Sequence, residues 1–333
     1  MWPISGLWKQ PWSRVIFDLS PNLPQRCHVV PRASVVVFLT IWKGSSAVAI
    51  DLLKEACAEL EQAWRTLAAD QRTFLLDRFK VRYSFNSGNI ENPEITYHDT
   101  AEVFDENGVS NFTGDVRTIY EINNLKNAWK WLEDALVEGV PLDEGLVLDA
   151  HRVLTRGTYD DARWAKGERP GTFKKGDYRV ADDVGAAPEE VSALVASLLD
   201  EVNEAMAAPG AEGNALTIAA YLHADLVDIH PFADGNGRTA RLLMNLALMR
   251  LGAPPCSIST DDRLAYFGAL DAYHDEGDLV PFRRFCEAQL VKTWESLLVR
   301  EGFAEISAPR KTRFDTMSKA EIKRDRLASR GEM

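Results

Sequence analysis

The stretch that constrains this chain most is His230–Arg241, which reads HPFADGNGRTAR. A histidine opens it, a carboxylate follows four residues later, and a Gly-Asn-Gly turn leads into a run of helical periodicity. Leu242, Leu243, Leu246 and Met249 are the apolar positions and Gly252 is the stop, so the spacing predicts a helix from Gly237 to about Leu251. The start of a helix carries unpaired N–H groups and a partial positive charge. Glycines on both sides of Asn236 let the backbone come close to a ligand. Gly235, Asn236 and Gly237 therefore read as an anion seat, best matched by phosphate. Arg238 and Arg241 share one helical face above it, with Asn245 a turn further on, which suits a polyphosphate. Asp234 supplies the single carboxylate that a phosphate-bridging Mg2+ needs. His230 can titrate near neutral pH and accept a proton from an attacking hydroxyl. Phe232 reads as a buried plug for the loop.

The remaining composition narrows the partners. The chain has 333 residues, 46% of them hydrophobic, enough for one large domain with a smaller appendage. Its net charge of −12 leaves no basic surface of the kind that tracks a nucleic-acid backbone, except in the tail, so no nucleic-acid partner is expected. Cys27, Cys57, Cys256 and Cys286 form no close pair and read as reduced thiols, which implies a cytoplasmic protein. The longest apolar run, Ala33–Trp42, is too short to span a bilayer, and no membrane association is expected. As a signal peptide it would be interrupted by Lys43 and preceded by an overlong, Pro-rich segment.

With its fixed positions filled, HPFADGNGRTAR resembles the signature of the Fic family, His-x-Phe-x-(Asp/Glu)-Gly-Asn-Gly-Arg-x-x-Arg. The similarity runs through most of residues 80–290. It implies a mainly α-helical fold with one β-hairpin flap, with ATP as co-substrate and Mg2+ as its ion. It further implies transfer of AMP to a Ser, Thr or Tyr hydroxyl of an unidentified target protein; a homodimer is one assembly it allows. On this resemblance His230 is the general base and Asp234 holds Mg2+ between the α- and β-phosphates. Gly235–Gly237 seat the phosphates with help from the Asn236 side chain, and Arg238 and Arg241 hold the β- and γ-phosphates.

A second stretch, Tyr83–Pro93 (YSFNSGNIENP), is similar to the inhibitory helix found in one Fic subgroup, with Ser87, Glu91 and Asn92 at the matching positions. There Glu91 would pair with Arg241 and misalign the α-phosphate, leaving the protein self-inhibited. The plain reading of the same residues is a helix end, with Asn92 as cap and Pro93 as terminator. Three other activities stay open. One is transfer of another phosphate-linked group, and another is removal of AMP by a water that Glu91 orients. The third is a nucleotide-sensing interaction module whose catalysis is vestigial. A phosphohydrolase metal cluster of His223, Asp225, Asp228, His230 and Asp234 is disfavoured, because positions 223 and 225 lie on different helix faces.

Taken in order, residues 1–45 have no clear period and read as a poorly ordered arm or a mis-assigned start. Residues 46–115 are an N-terminal helical region: helical spacing at Leu52–Trp64, a second run from Asp70, then loop and turns over 94–115. The catalytic core is expected over 116–305, with helices at Val116–Glu138, Leu142–Thr155, Pro188–Ala207, Ala215–Asp228, Asp261–Tyr273 and Pro281–Glu301. His151, among Leu146, Leu148 and Leu154, reads as a structural histidine. Pro170–Val180 reads as two short strands around a Gly-containing turn, and the resemblance makes Thr172, Phe173 and Lys174 the flap that holds the target by strand addition. Tyr273-His274-Asp275 stands where relatives often place an asparagine against adenine, which leaves the base preference open. The tail, 306–333, is rich in charge.

Overall fold

The computed structural model describes residues 47–110, 112–178 and 185–300, with side chains from residue 53 onward except those of 296, 299 and 300. The expected N-terminal arm, the charged tail, Cys27 and the second arm of the expected hairpin lie outside the described residues. Among the described residues the regular structure is helical: α1 Ala47–Thr66, α2 Ala69–Asn89, α3 Tyr97–Glu106, α4 Val116–Glu138, α5 Glu144–Thr155, α6 Asp161–Ala165, α7 Val191–Ala207, α8 Ala215–Ile229, α9 Asn236–Arg250, α10 Arg263–Glu276 and α11 Val280–Arg300.

The centre of the fold is the α8–α9 pair. Helix α9 packs on α4 and α5 as well, while α8 is covered by α7 and α11. Leu242, Leu243, Met244, Leu246 and Leu248 are fully buried, and so are the polar Thr239 and Asn245. A helix apolar nearly all round belongs in a core, and its polar residues must then find partners inside. Asn245 does so by donating to the Arg241 and Cys256 carbonyls and accepting from the Cys256 N–H. Helix α2 buries Leu75, Phe79 and Tyr83 against Trp129 of α4 and Trp294 of α11, so its C-terminal end arrives beside α9. Gly88 lets it approach closely: a Cβ there would stand 2.8 Å from Ile95 and 2.9 Å from Leu125.

Among the described residues, three local expectations differ from the structure. The span 94–115 is not all loop: α3 forms, started by Thr96, which accepts from the Asp99 N–H, and stopped at Asn107 in the left-handed conformation. The β-hairpin is absent among the described residues, since 171–178 is irregular. Glu168, 1% exposed, accepts from the Lys175 N–H at 2.8 Å and from the Tyr178 hydroxyl at 2.9 Å. The Lys174 N–H is taken by the Pro231 carbonyl at 2.9 Å. These contacts tie residues 174–178 to Glu168 and to the loop after His230. Helix α5 also begins later than Pro141 suggested, at the Asp143 cap, whose carboxylate accepts from the Leu146 N–H. Cys57, Cys256 and Cys286 are free and buried, and no described helix is long and apolar enough to cross a membrane.

Candidate active site

Helix α8 ends on His230, whose φ of 51° puts a bulky residue in the left-handed region. Such a conformation costs roughly 1–3 kcal/mol and persists only where its surroundings enforce it. Asn236 does the enforcing. Its Oδ1 accepts from the Phe232 N–H at 2.9 Å, which fixes the amide orientation, and its Nδ2 then donates to the Phe232 carbonyl and to His230 Nε2, both at 2.8 Å. His230 Nε2 is therefore the nitrogen bearing the lone pair. The proton sits on Nδ1, which lies near the Val227 carbonyl without closing a hydrogen bond. Burial, reinforced by the Lys174 charge and opposed by Asp234 and Glu91, lowers the His230 pKa to about 4. The imidazole is a neutral proton acceptor at pH 7. The Asn236 amide is committed to the loop, so any assistance to an α-phosphate would require it to let go.

The loop between His230 and α9 is anchored from behind. Phe232 is fully buried and stacks on His151, ring centroids 3.7 Å apart. His151 Nδ1 accepts from the Gly171 N–H at 2.9 Å, so Nε2 carries the proton and donates to the Asp234 carbonyl at 3.0 Å. Burial lowers the His151 pKa to about 3. This histidine ties the 171–178 segment to the motif loop and takes no proton. Gly235, at φ 86°, could carry no side chain, since a Cβ would meet Thr155 at 2.7 Å.

Over the first turn of α9 the charges gather. Asp234 meets Arg117 at 2.7 Å, Arg238 at 3.2 Å and Arg163 at 3.7 Å. Burial would raise its pKa, but Arg238, Arg117 and Arg163 outweigh this and hold it below the ordinary aspartate value. Arg238 also meets Glu121 at 3.4 Å, and its Nε is buried with no partner. Arg241, 1% exposed, donates through Nε to Ser87 Oγ at 3.0 Å. Its Nη2 donates to the Ser87 carbonyl at 2.9 Å and to Glu91 Oε1 at 2.8 Å, and its Nη1 to the Tyr266 hydroxyl at 3.3 Å. The Tyr266 hydroxyl in turn donates to His223 Nε2 at 3.1 Å. Glu91 Oε1 also lies against the backbone of α9, where a Cβ on Gly237 would meet it at 2.5 Å. The carboxylate thus sits at the helix start as well as on the arginine. Asn92 does not cap α2; it donates to Glu121 at 2.8 Å and to Thr118 at 3.1 Å.

His230, Asp234, Gly235–Gly237, Arg238, Arg241, Ser87, Glu91 and Asn92 are brought together. Thr172 and Phe173 stand at the margin, with Phe173 5.7 Å from the Phe232 ring and Lys174 buried next to Pro231. Arg117, Glu121, Arg163 and Tyr266 were not foreseen. For Arg117 and Glu121 the sequence offers an i,i+4 pair on α4, with nothing in it that points to the motif.

The sequence model of the Fic/DOC family matches residues 141–248. Over those residues the chain is similar to a Fic/DOC domain. A Protein adenylyltransferase Fic from Drosophila willistoni is 30% identical over 220 residues, 65% of this chain and 41% of that protein. One from Nematostella vectensis is 33% identical over 183 residues, 54% of this chain and 39% of that protein. The chain thus spans about two fifths of the length of these relatives. Among solved structures, a Fic domain containing signaling protein from Bacteroides thetaiotaomicron superposes with a TM-score of 0.63 at 24% identity, covering 75% of this chain and 99% of that one. Fic-1 from C. elegans gives 0.64 at 22% identity, over 77% and 74%. The helical architecture around α8 and α9 is therefore the Fic fold.

Proposed function

We propose that the protein is a protein adenylyltransferase that moves AMP from ATP to a Ser, Thr or Tyr hydroxyl of a target protein and is held off by Glu91. The observation that carries this is the proximity of a lone-pair nitrogen, His230 Nε2, to a helix start ringed by guanidiniums. Once the Asn236 amide releases it, Nε2 takes the hydroxyl proton as the hydroxyl oxygen attacks the α-phosphorus. The bond from that phosphorus to the β-bridging oxygen breaks, and pyrophosphate leaves with the electron pair. A triphosphate brings negative charge beside His230 and raises its pKa from about 4 toward the range a general base uses. Arg238, with an unpartnered buried Nε, holds the middle of the phosphate chain, and Arg241 takes its end once Glu91 has left.

Mg2+ fits the donor set in one respect: Asp234 is a hard, ionised oxygen donor. Among the described residues no group of three His, Cys, Asp or Glu could hold a metal. The ion would share Asp234 with phosphate oxygens and water, and when bound it would neutralise charge on the leaving pyrophosphate. Segment 172–174, against the loop after His230, supports docking of the target there, and the buried thiols suit a reducing compartment such as the cytoplasm. The reading is tested with ATP labelled at the α- or the γ-phosphate. Glu91→Gly should incorporate α-label and no γ-label, and wild type far less. Incorporation of γ-label, or of neither, would contradict it.

A further inference from the structure

We propose that Arg117 is a tethered stand-in for the divalent cation at Asp234, kept in place by Asn92 through Glu121. This rests on the nucleotide-site reading above and adds a second device to it. The Arg117 guanidinium donates through Nη2 to Asp234 Oδ2 at 2.7 Å and through Nε to Glu121 Oε1 at 3.1 Å. Glu121 is itself buried at 4% exposure, and its other oxygen accepts from Asn92 Nδ2 at 2.8 Å. The chain of contacts runs unbroken from the turn after α2 to the carboxylate that a cation would use. That turn carries Glu91 and Asn92 side by side. Glu91 takes Arg241, while Asn92, one residue on, fixes the base of the arm that covers Asp234.

A cation approaching Asp234 meets Arg238, Arg117 and Arg163 already on its oxygens. Arg238 is buried at the start of α9, and Arg163 stands farthest, at 3.7 Å, and also pairs with Asp160 at 3.2 Å. Arg117 makes the shortest of the three contacts from a side chain 37% exposed. That exposure gives it a path into solvent once Asn92 lets Glu121 go and a doubly charged ion takes its place at Asp234. One movement of the 91–92 turn would then free the phosphate arginine and the cation carboxylate together.

The test is a binding measurement. A non-hydrolysable ATP analogue is titrated into the protein by calorimetry, once with Mg2+ and once with chelator. The ratio of the two dissociation constants isolates the cation's contribution. In Arg117→Met this Mg2+ preference should rise about tenfold, as expected for loss of one close competing charge. Arg117→Lys, which keeps the charge, should stay near wild type. Asn92→Ala should move in the same direction as Arg117→Met by a smaller factor, and it gives an independent reading if that variant is poorly folded. An unchanged or reduced Mg2+ preference in both Arg117→Met and Asn92→Ala would overturn the latch and leave the nucleotide site standing. No Mg2+ preference in any of the proteins would overturn the cation seat itself, and the latch with it.

Discussion

At the scale of single residues the site is a set of charges that already satisfy one another. Arg241 is almost wholly buried, and its donors are met by Ser87, Glu91 and Tyr266. Although burial opposes its charge, Tyr266 and Glu91 keep its pKa raised above the ordinary arginine value. Glu91→Gly should therefore act in two directions at once. Nucleotide transfer should rise on the order of 10²-fold as the reacting phosphorus comes into line. Stability should fall by about 1–2 kcal/mol, the value of a hydrogen bond to a charged group discounted for a carboxylate about a third exposed. Labelled-ATP assays and denaturant melts read the two effects separately, and a variant no more active than wild type would remove Glu91 from its role. His230→Ala should abolish transfer while the affinity for ATP stays within a few-fold by calorimetry; lost affinity with turnover retained would reverse the assignment. The Glu91–Arg241 pair was legible only through the resemblance of Ser87–Asn92 to an inhibitory helix, since the three fixed positions by themselves read equally well as a helix end. Arg117 and Glu121 were not, because their meeting with Asp234 depends on how α4 lies across α9, which no local spacing encodes.

At the scale of elements the decisive unit is the turn from α8 into α9. Its glycines, histidine and helix start could be read directly, and α9 begins within one residue of the expected place. The role of Asn236 could not, since an asparagine between glycines is as ready to face a ligand as to staple its own loop. Asn236→Ala removes three buried hydrogen bonds at about 1 kcal/mol each. It should cost about 3 kcal/mol in denaturant unfolding and free His230 from its strained backbone; a loss under about 1 kcal/mol would show that the loop is held by other contacts. Helix α3 was hidden because its ten residues bury only Thr100 and Val103, too few to print a period. The hairpin rests on turn residues and on the family resemblance, and neither reveals that Glu168 takes the Lys175 N–H and Pro231 the Lys174 N–H.

At the scale of the whole molecule, three histidines among the described residues are buried neutral. Burial lowers the pKa of His151 to about 3 and of His230 to about 4, and that of His223 falls well below the ordinary value through burial and the nearby Arg241. The unfolded chain binds protons at these sites near pH 6.5 while the folded one does not. Their stabilisation is therefore complete above about pH 6.5 and is lost as pH falls toward 4. Asp225, whose pKa burial raises to about 6, has the opposite sign and loses its contribution as pH rises through 6. Glu61 and Glu287, also raised by burial, share the sign of Asp225, while Asp234, held low by its arginines, shares that of the histidines. The three histidines titrate furthest from their unfolded value between pH 5 and 7.5, so the thermal midpoint should be lower at pH 5 than at pH 7.5; an equal or higher midpoint at pH 5 would contradict the burial. The same large core made the helical class legible from apolar periodicity, while the packing that brings α2 against α9 was visible only as a resemblance. The account stands most directly on the intact mass of the Glu91→Gly protein after incubation with ATP and Mg2+. It predicts species heavier by whole AMP units, absent when His230 is also replaced by alanine. An unmodified mass, or an adduct of any other group, would contradict it.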